Sequence, residues 1–492
     1  MWSTFVSEGV GFSTEASKEK HSESSSTQTE ILHNEDKDSQ VPLQSNAEVQ
    51  TETSSTKEQQ FVEFDVESLT SFLHRVTPYV CSVLEKNSRS LAFANYNLMS
   101  ENDEVGISCQ YLLDRSLPNE FCSPSVSWNA VGTAIAAGYS SSNHESWCEH
   151  DGSVGIWSLN RKDMNPKKPN IVLETDCCVT VVAFHPKLPA ILLAGKFNGE
   201  ILLWNISKED DPLLGSSERT VGNHREPITG LHWLSNSKSS SAIEFVSCAL
   251  DGKILLWRLE NNTFKAYDGF IILVKELPRN FTIKTSKENA EVGIISLSVN
   301  FEDPSIFVIG TEGGGIFQGS FNALNPASYT GVTSVELKNP ITMSFERHKG
   351  QVTSVQFSPF TRNIFLTSGS DGEVRLYNLM QTKPVMVLQL SSGGVNAACW
   401  SPIRPMVFSC ACSDGELHVW DLMINKTAPT ETITLDRGQV GGLNLQYNKE
   451  NFQLLATSTT NGKISVWQLP ETLFNSNFDE QSYLQKLAKN VE

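Results

Sequence analysis

The fold class that the sequence predicts is all-β, a closed ring of seven antiparallel sheets (a seven-bladed β-propeller) preceded by a disordered tail and a short amphipathic helix. Three observations predict it. A tight turn recurs through most of the chain at intervals of 47, 53, 61, 59, 43 and 47 residues. Short apolar strands flank each turn. The first sixty residues are polar, with few large apolar side chains, and stand apart in composition.

The chain has 492 residues, 39% of them hydrophobic and 19% charged, which suffices for a sizeable core. Its formal net charge of −18 argues against bulk nucleic-acid binding and against a polybasic membrane patch. No run of about 18 apolar residues predicts a membrane-spanning helix. The opening MWSTFVSEGVGFSTEAS lacks the basic start and apolar stretch of a secretory signal. Ten cysteines are scattered, with one adjacent pair (Cys177, Cys178), one C-x-C (Cys410, Cys412) and no C-x-x-C. They read as small buried hydrophobes in a reducing cytosol.

Residues 1–60 hold four Lys against eleven Asp and Glu, and nineteen Ser and Thr. Such a segment buries too little apolar area to offset the entropy of ordering, so it is expected to be disordered. Within it lie two similar peptides, Ser26-Thr27-Gln28-Thr29-Glu30 and Glu48-Val49-Gln50-Thr51-Glu52, with Gln28 and Gln50 22 residues apart. Each can add as a strand to a partner's sheet edge, where main-chain hydrogen bonds give affinity and alternate side chains give specificity. A poorer third candidate is Val10-Gly11-Phe12-Ser13-Thr14-Glu15. Ser/Thr/Gln-rich disorder also produces such peptides by chance, a pair less often than one.

Residues 61–90 read as an amphipathic helix. Leu69, Phe72, Leu73, Val76, Val80, Val83 and Leu84 fall at steps of three and four on one face. Asp65 or Ser68 is the candidate cap, and Pro78 predicts a kink or two shorter helices. The stripe either packs on its own domain or serves as a handle for another subunit.

Residues 91–472 carry the repeats. An Asp or Asn before Gly is followed by Trp or Tyr: Asp151-Gly152 to Trp157, Asn198-Gly199 to Trp204, Asp251-Gly252 to Trp257, Asp371-Gly372 to Tyr377, Asp414-Gly415 to Trp420 and Asn461-Gly462 to Trp467. A degenerate copy stands at Glu312-Gly313-Gly314. Asp-Gly and Asn-Gly between apolar runs are strong hairpin signals. Upstream strands end in an aromatic residue placed 14 residues before the turn in four copies, Phe184, Phe357, Trp400 and Tyr447. After Trp467 only a short polar tail (473–492) follows, so the last blade needs an outer strand from elsewhere. The stretch from Gly106 to Leu113 is the expected donor, closing the ring and removing an open edge.

No catalytic constellation emerges. His144-x-x-x-Cys148-x-His150 contains plausible metal donors but reads as a polar loop inserted in the first blade. Gly313-Gly314-Gly315 lacks the Lys-Ser/Thr and helix of a phosphate loop. G-x-S-x-G and H-E-x-x-H do not occur. With no catalytic residue, cofactor or metal assigned, the chain reads as an interaction scaffold and not an enzyme.

The repeat period, the turn residues and Trp420-Asp421 resemble the WD-repeat propellers, with His224 and His348 where that family's His stands. The resemblance implies that Asp251, Asp371, Asp414, both His residues and the Trp residues form structural hydrogen-bond sets. The order of tail, helix and degenerate propeller resembles the WD-repeat intermediate chains of dynein motors, above all the branch serving retrograde intraflagellar transport. SPFTRNIFLTSGSDGEV (358–374), SPIRPMVFSCA (401–411), DPLL (211–214) and SIFVIGTEGG (305–314) carry that likeness.

The resemblance implies a propeller that holds the dynein heavy chain. It implies that Thr27-Gln28-Thr29 and Val49-Gln50-Thr51 bind a TQT-reading dimeric light chain, and that the helix binds a roadblock-type light chain. It also implies a second intermediate chain in the same particle, and a place in cytoplasm, cytoskeleton, cilium and basal body. The architecture alone also fits a WD-repeat adaptor or substrate receptor of a ubiquitin ligase, or an intermediate chain of another dynein class.

Overall fold

A computed structural model describes residues 66–89 and 106–489, except 119, 145–146, 209, 218–221, 235–242, 279–280, 282–289, 391–392, 436–440 and 476–479. The expected tail of residues 1–60 lies outside the described residues. The chain divides into two compact units, one holding the helix and the other residues 104–492.

In the first unit, α1 (Val66–Arg89) is one continuous helix of 24 residues with Pro78 inside it. The expected pair of shorter helices is therefore corrected. Pro78 lacks the N–H that would reach the His74 carbonyl, a loss of one rung. The apolar stripe crosses that point in phase, from Val76 to Val80. Thr77 Oγ1 donates to the Leu73 carbonyl at 2.6 Å, adding a bond in the same turn. Ser68 lies inside the first turn and is not the cap.

In the second unit, five sheets have four strands each, and a sixth has nine. The nine-stranded sheet comprises two four-stranded meanders, 179–216 and 228–271, joined by one parallel pair, Thr263 with Ser216, plus the short strand Leu337–Lys338. Numbered as blades, the meanders are 121–175, 179–216, 228–271, 294–344, 352–389, 395–434 and 442–468. The first strand of each blade lies against the first strand of the next, and the seventh returns to the first. A buried apolar cluster fills each of these interfaces.

The ring closes as the missing outer strand required. Ser108–Leu113 pairs antiparallel with Ile464–Gln468, Ser108 opposite Gln468 and Leu113 opposite Ile464. Leu113 is fully buried among Ile464, Val466, Ile135 and Val126. At the centre, the Trp128 N–H donates to Gln446 Oε1 at 2.8 Å and its indole N–H to the Gln446 carbonyl at 3.1 Å. Asn448 Nδ2 donates to the Gly132 carbonyl at 2.8 Å.

Six of the turns carry glycine with positive φ: Gly199, Gly252, Gly314, Gly372, Gly415 and Gly462, between 71° and 87°. Only glycine adopts that backbone freely. Two copies depart from expectation. In blade 4 the turn glycine is Gly314, so Gly313 stands where the others have Asp or Asn. In blade 1, Gly152 belongs to the strand Gly152–Ser158, and an inserted loop replaces the tight turn.

The C-terminal segment is also more than a polar tail. It forms helices Glu471–Phe474 and Glu480–Lys489. Leu473 and Leu484 are buried in inter-blade clusters. Glu480 Oε1 accepts two bonds from the buried Arg404 guanidinium, at 2.9 and 2.6 Å, and Asp421 Oδ2 lies 2.8 Å from it.

Starting the chain at residue 118 deletes the closing strand and opens the edge of blade 7. Loss of Leu113 burial alone is worth about 1.5–3 kcal/mol. The thermal midpoint is expected to fall by roughly 5 °C or more against a chain starting at residue 91. Equal midpoints in calorimetry would refute the closing role.

Candidate functional site

Three features compete as the functional site: the helix stripe, the His–Asp turns and the inserted loop of blade 1. Of the light-chain motifs, Thr27, Gln28, Thr29, Val49, Gln50 and Thr51 lie outside the described residues, as does Asp65.

Helical spacing brings Leu69, Phe72, Leu73, Val76, Val80, Val83 and Leu84 onto one face of α1. Phe72 and Leu73 are each 49% exposed and Leu84 60%, and only Val76 is half-buried. From Leu69 to Leu84 the stripe runs about 22 Å at 1.5 Å per residue. The Arg75 guanidinium lies 5.9 Å from the centre of the Phe72 ring. A contiguous apolar strip this exposed is a candidate interaction surface.

The His–Asp turns are structural. In blade 3, His224 Nδ1 lies 3.1 Å from Asp251 Oδ1, and its Nε2 lies 2.7 Å from Ser247 Oγ. Ser247 Oγ also accepts the Trp257 indole N–H at 2.7 Å. In blade 5, His348 Nδ1 lies 3.0 Å from Asp371 Oδ2 and Nε2 2.8 Å from Thr367 Oγ1. Tyr377 replaces Trp there and donates to the Glu346 carbonyl at 2.7 Å. Asp414 departs from the expected set: it is exposed, accepts the Glu416 N–H, and Ser391-Ser392-Gly393-Gly394 stands upstream where a His was required. His348, Asp371 and Glu373 approach metal-ligand spacing, but Arg375 Nη2 already lies 2.7 Å from Glu373 and 3.9 Å from Asp371.

Burial pushes the Asp251 and Asp371 carboxyls upward, but the facing His224 and His348, together with Lys253 at Asp251 and backbone N–H groups at both, outweigh it, and both sit below the ordinary carboxylate range. Burial, aided by Arg375, holds His348 below the ordinary imidazole range against the pull of Asp371.

The inserted loop, expected as a polar loop, has a neighbour that the spacing did not reveal. It brings His144, Cys148 and His150 against Cys178, from the link between blades 1 and 2, with all four donor atoms within 4.8 Å of one another. Cys178 stood out in sequence only as half of the adjacent pair Cys177-Cys178, and its distance along the chain hid its link to the loop.

The ring and its His–Asp latches define a WD-repeat propeller, and the family models agree. Residues 215–258 match the WD domain, G-beta repeat, and residues 284–469 match the dynein axonemal intermediate chain 3 WD40 domain. The chain is 33% identical over 433 residues to the cytoplasmic dynein 2 intermediate chain 2 of Homo sapiens, covering 87% of this chain and 81% of that one. Against the same protein of Mus musculus it is 34% identical over 453 residues, 91% and 84% of the two chains. It is 24% identical over 269 residues to the cytoplasmic dynein 1 intermediate chain of Drosophila melanogaster, 54% of this chain and 36% of that one. The chain belongs to the dynein intermediate chains.

Acid is expected to loosen the blade 5 latch. Because His348 is held low in the folded state, the unfolded chain binds more protons below about pH 6.5, and stability falls as pH falls. Lowered Asp371 acts in the same direction below about pH 4. His348→Gln is expected to lose about 1–3 kcal/mol near pH 7 by leaving buried Asp371 short of a partner. It should also flatten the fall of the thermal midpoint between pH 7 and pH 5. An unchanged slope in the variant would remove His348 from the account.

Proposed function

We propose that this chain is a non-catalytic intermediate chain of a ciliary dynein of the intraflagellar-transport class. The propeller binds the heavy-chain tail, and the N-terminal region recruits dimeric light chains beside a second intermediate chain. Its place is cytoplasm, cytoskeleton, cilium and basal body, on microtubules and without nucleic-acid binding or membrane insertion. Among the described residues no helix is long and apolar enough to cross a membrane.

The observation that carries this reading is the exposed apolar stripe of α1. Covering one such side chain stabilises by about 1.5–3 kcal/mol, so seven in register favour a partner strongly. The names of the relatives indicate which assembly that partner belongs to. Mass spectrometry of a pulldown with the full chain tests the whole: dynein heavy and light chains support it, and ubiquitin-ligase subunits in their place overturn it.

Replacing Phe72 and Leu73 by Glu is expected to release a roadblock-type light chain while the heavy chain still co-precipitates and the propeller's thermal midpoint stays unchanged. Retained light chain with a lower midpoint would assign the stripe to packing and not docking.

The tail peptides are expected to act together. Gln28→Ala with Thr29→Ala should weaken light-chain binding far more in a peptide carrying one motif than in the full tail. A dimeric partner makes the second contact intramolecular, and avidity can exceed single-site affinity by about 10²–10⁴. Isothermal titration showing equal losses in both would leave Val49-Gln50-Thr51 without a role.

A further inference from the structure

We propose that His144, Cys148, His150 and Cys178 form a structural zinc site that fastens blade 1 to blade 2. The inference is independent of the motor reading above. Three donors come from the loop between strands Ala134–Ser141 and Gly152–Ser158 of blade 1. The fourth, Cys178, immediately precedes Val179–Phe184, the innermost strand of blade 2.

The geometry matches one tetrahedral ion. Zinc bonds of about 2.0–2.3 Å set ligand atoms about 3.3–3.8 Å apart. Here His144 Nε2 lies 3.3 Å from Cys148 Sγ, and His150 Nδ1 lies 3.9 Å from the same sulfur. All four donor atoms lie within 4.8 Å of one another, so a small contraction centres an ion among them. Two thiolates and two imidazoles select a borderline-soft cation, which excludes calcium and magnesium. Four donors converging on one point leave no space for a two-iron cluster.

The surroundings hold the ligands in place. The Ser141 N–H donates to Cys178 Sγ at 3.2 Å, a bond that stabilises the thiolate form. The His144 ring stacks on Phe197, centroids 4.1 Å apart. Cys177, Cys178 and Phe197 form a small buried cluster with Cys148 packed against it. Blade 1 lacks the tight glycine turn, and among the described residues the His–Asp latches stand in blades 3 and 5.

The test is the metal content of the full chain purified under reducing conditions and desalted. About one zinc per chain is expected. Removing even an outer-shell partner costs about 10–100-fold in affinity, so Cys148→Ser and Cys178→Ser should each lose at least that. Cys109→Ser, at an exposed cysteine outside the cluster, should keep the zinc. Exchange for cobalt should give the strong visible bands and thiolate charge-transfer absorption of a tetrahedral thiolate–imidazole site. Should the serine variants fail to fold, the wild-type chain still decides: a strong chelator should lower its thermal midpoint, and zinc should restore it. Substoichiometric zinc, a weak octahedral cobalt spectrum, bound iron with sulfide, or a midpoint indifferent to chelation would each overturn the site.

Discussion

A ring of sheets exists only if its last edge is covered. Each blade presents one hydrogen-bonding edge outward, and an uncovered one is open to slippage and to pairing with other chains. Blade 7 has three strands of its own, and Ser108–Leu113 supplies the fourth. The register, Ser108 opposite Gln468 and Leu113 opposite Ile464, sends Leu113 into the interface with blade 1. Gln446 then serves Trp128 across the seam at the ring's centre. The first described strand of the propeller thus completes its last blade.

Within the closed ring, the polar fastenings differ from blade to blade while the strand frame repeats. Ser127 and Ser298 each accept a backbone N–H from the next blade, at 3.0 Å, and Gln356 does the same for Trp400 at 2.6 Å. Blades 3 and 5 use His–Asp latches, and blade 6 ties Asp421 to Arg404 and Glu480. A buried pair of this kind adds little net stability over apolar packing, but breaking one partner leaves a costly buried charge. These fastenings therefore fix which segment lies where more than they hold the ring together. Glu480 shows it: the carboxylate commits the C-terminal helix to one blade.

Features governed by neighbours in sequence were legible. A turn glycine, an aromatic residue five positions on and alternating apolar strands are local signals, and so the blade frame and the donor strand were read correctly. Features set by tertiary context were not. Gly314 displaces Gly313 as the turn glycine because one residue of slip is invisible without the strand register. Asp414 looks like Asp371 in sequence but faces solvent, since no His precedes blade 6. Leu484 gives no sign in a polar segment that it fills a gap between blades 5 and 6. Cys178 and His150 meet only because blade 2 begins where the blade 1 loop ends.

The helix reverses that logic. Its apolar spacing was readable, but spacing alone did not distinguish a buried face from an exposed one. Propeller side chains of the same kind, such as Leu193 and Phe245, are fully buried, whereas Phe72 and Leu73 stay half open to water. Pro78 sharpens the point. A helix interior with a proline gives up one backbone bond, and the stripe nevertheless keeps its phase from Leu69 to Leu84. Among the described residues, the stripe keeps its phase across a helix-weakening residue while Phe72 and Leu73 stand half exposed, the two features on which the docking proposal rests.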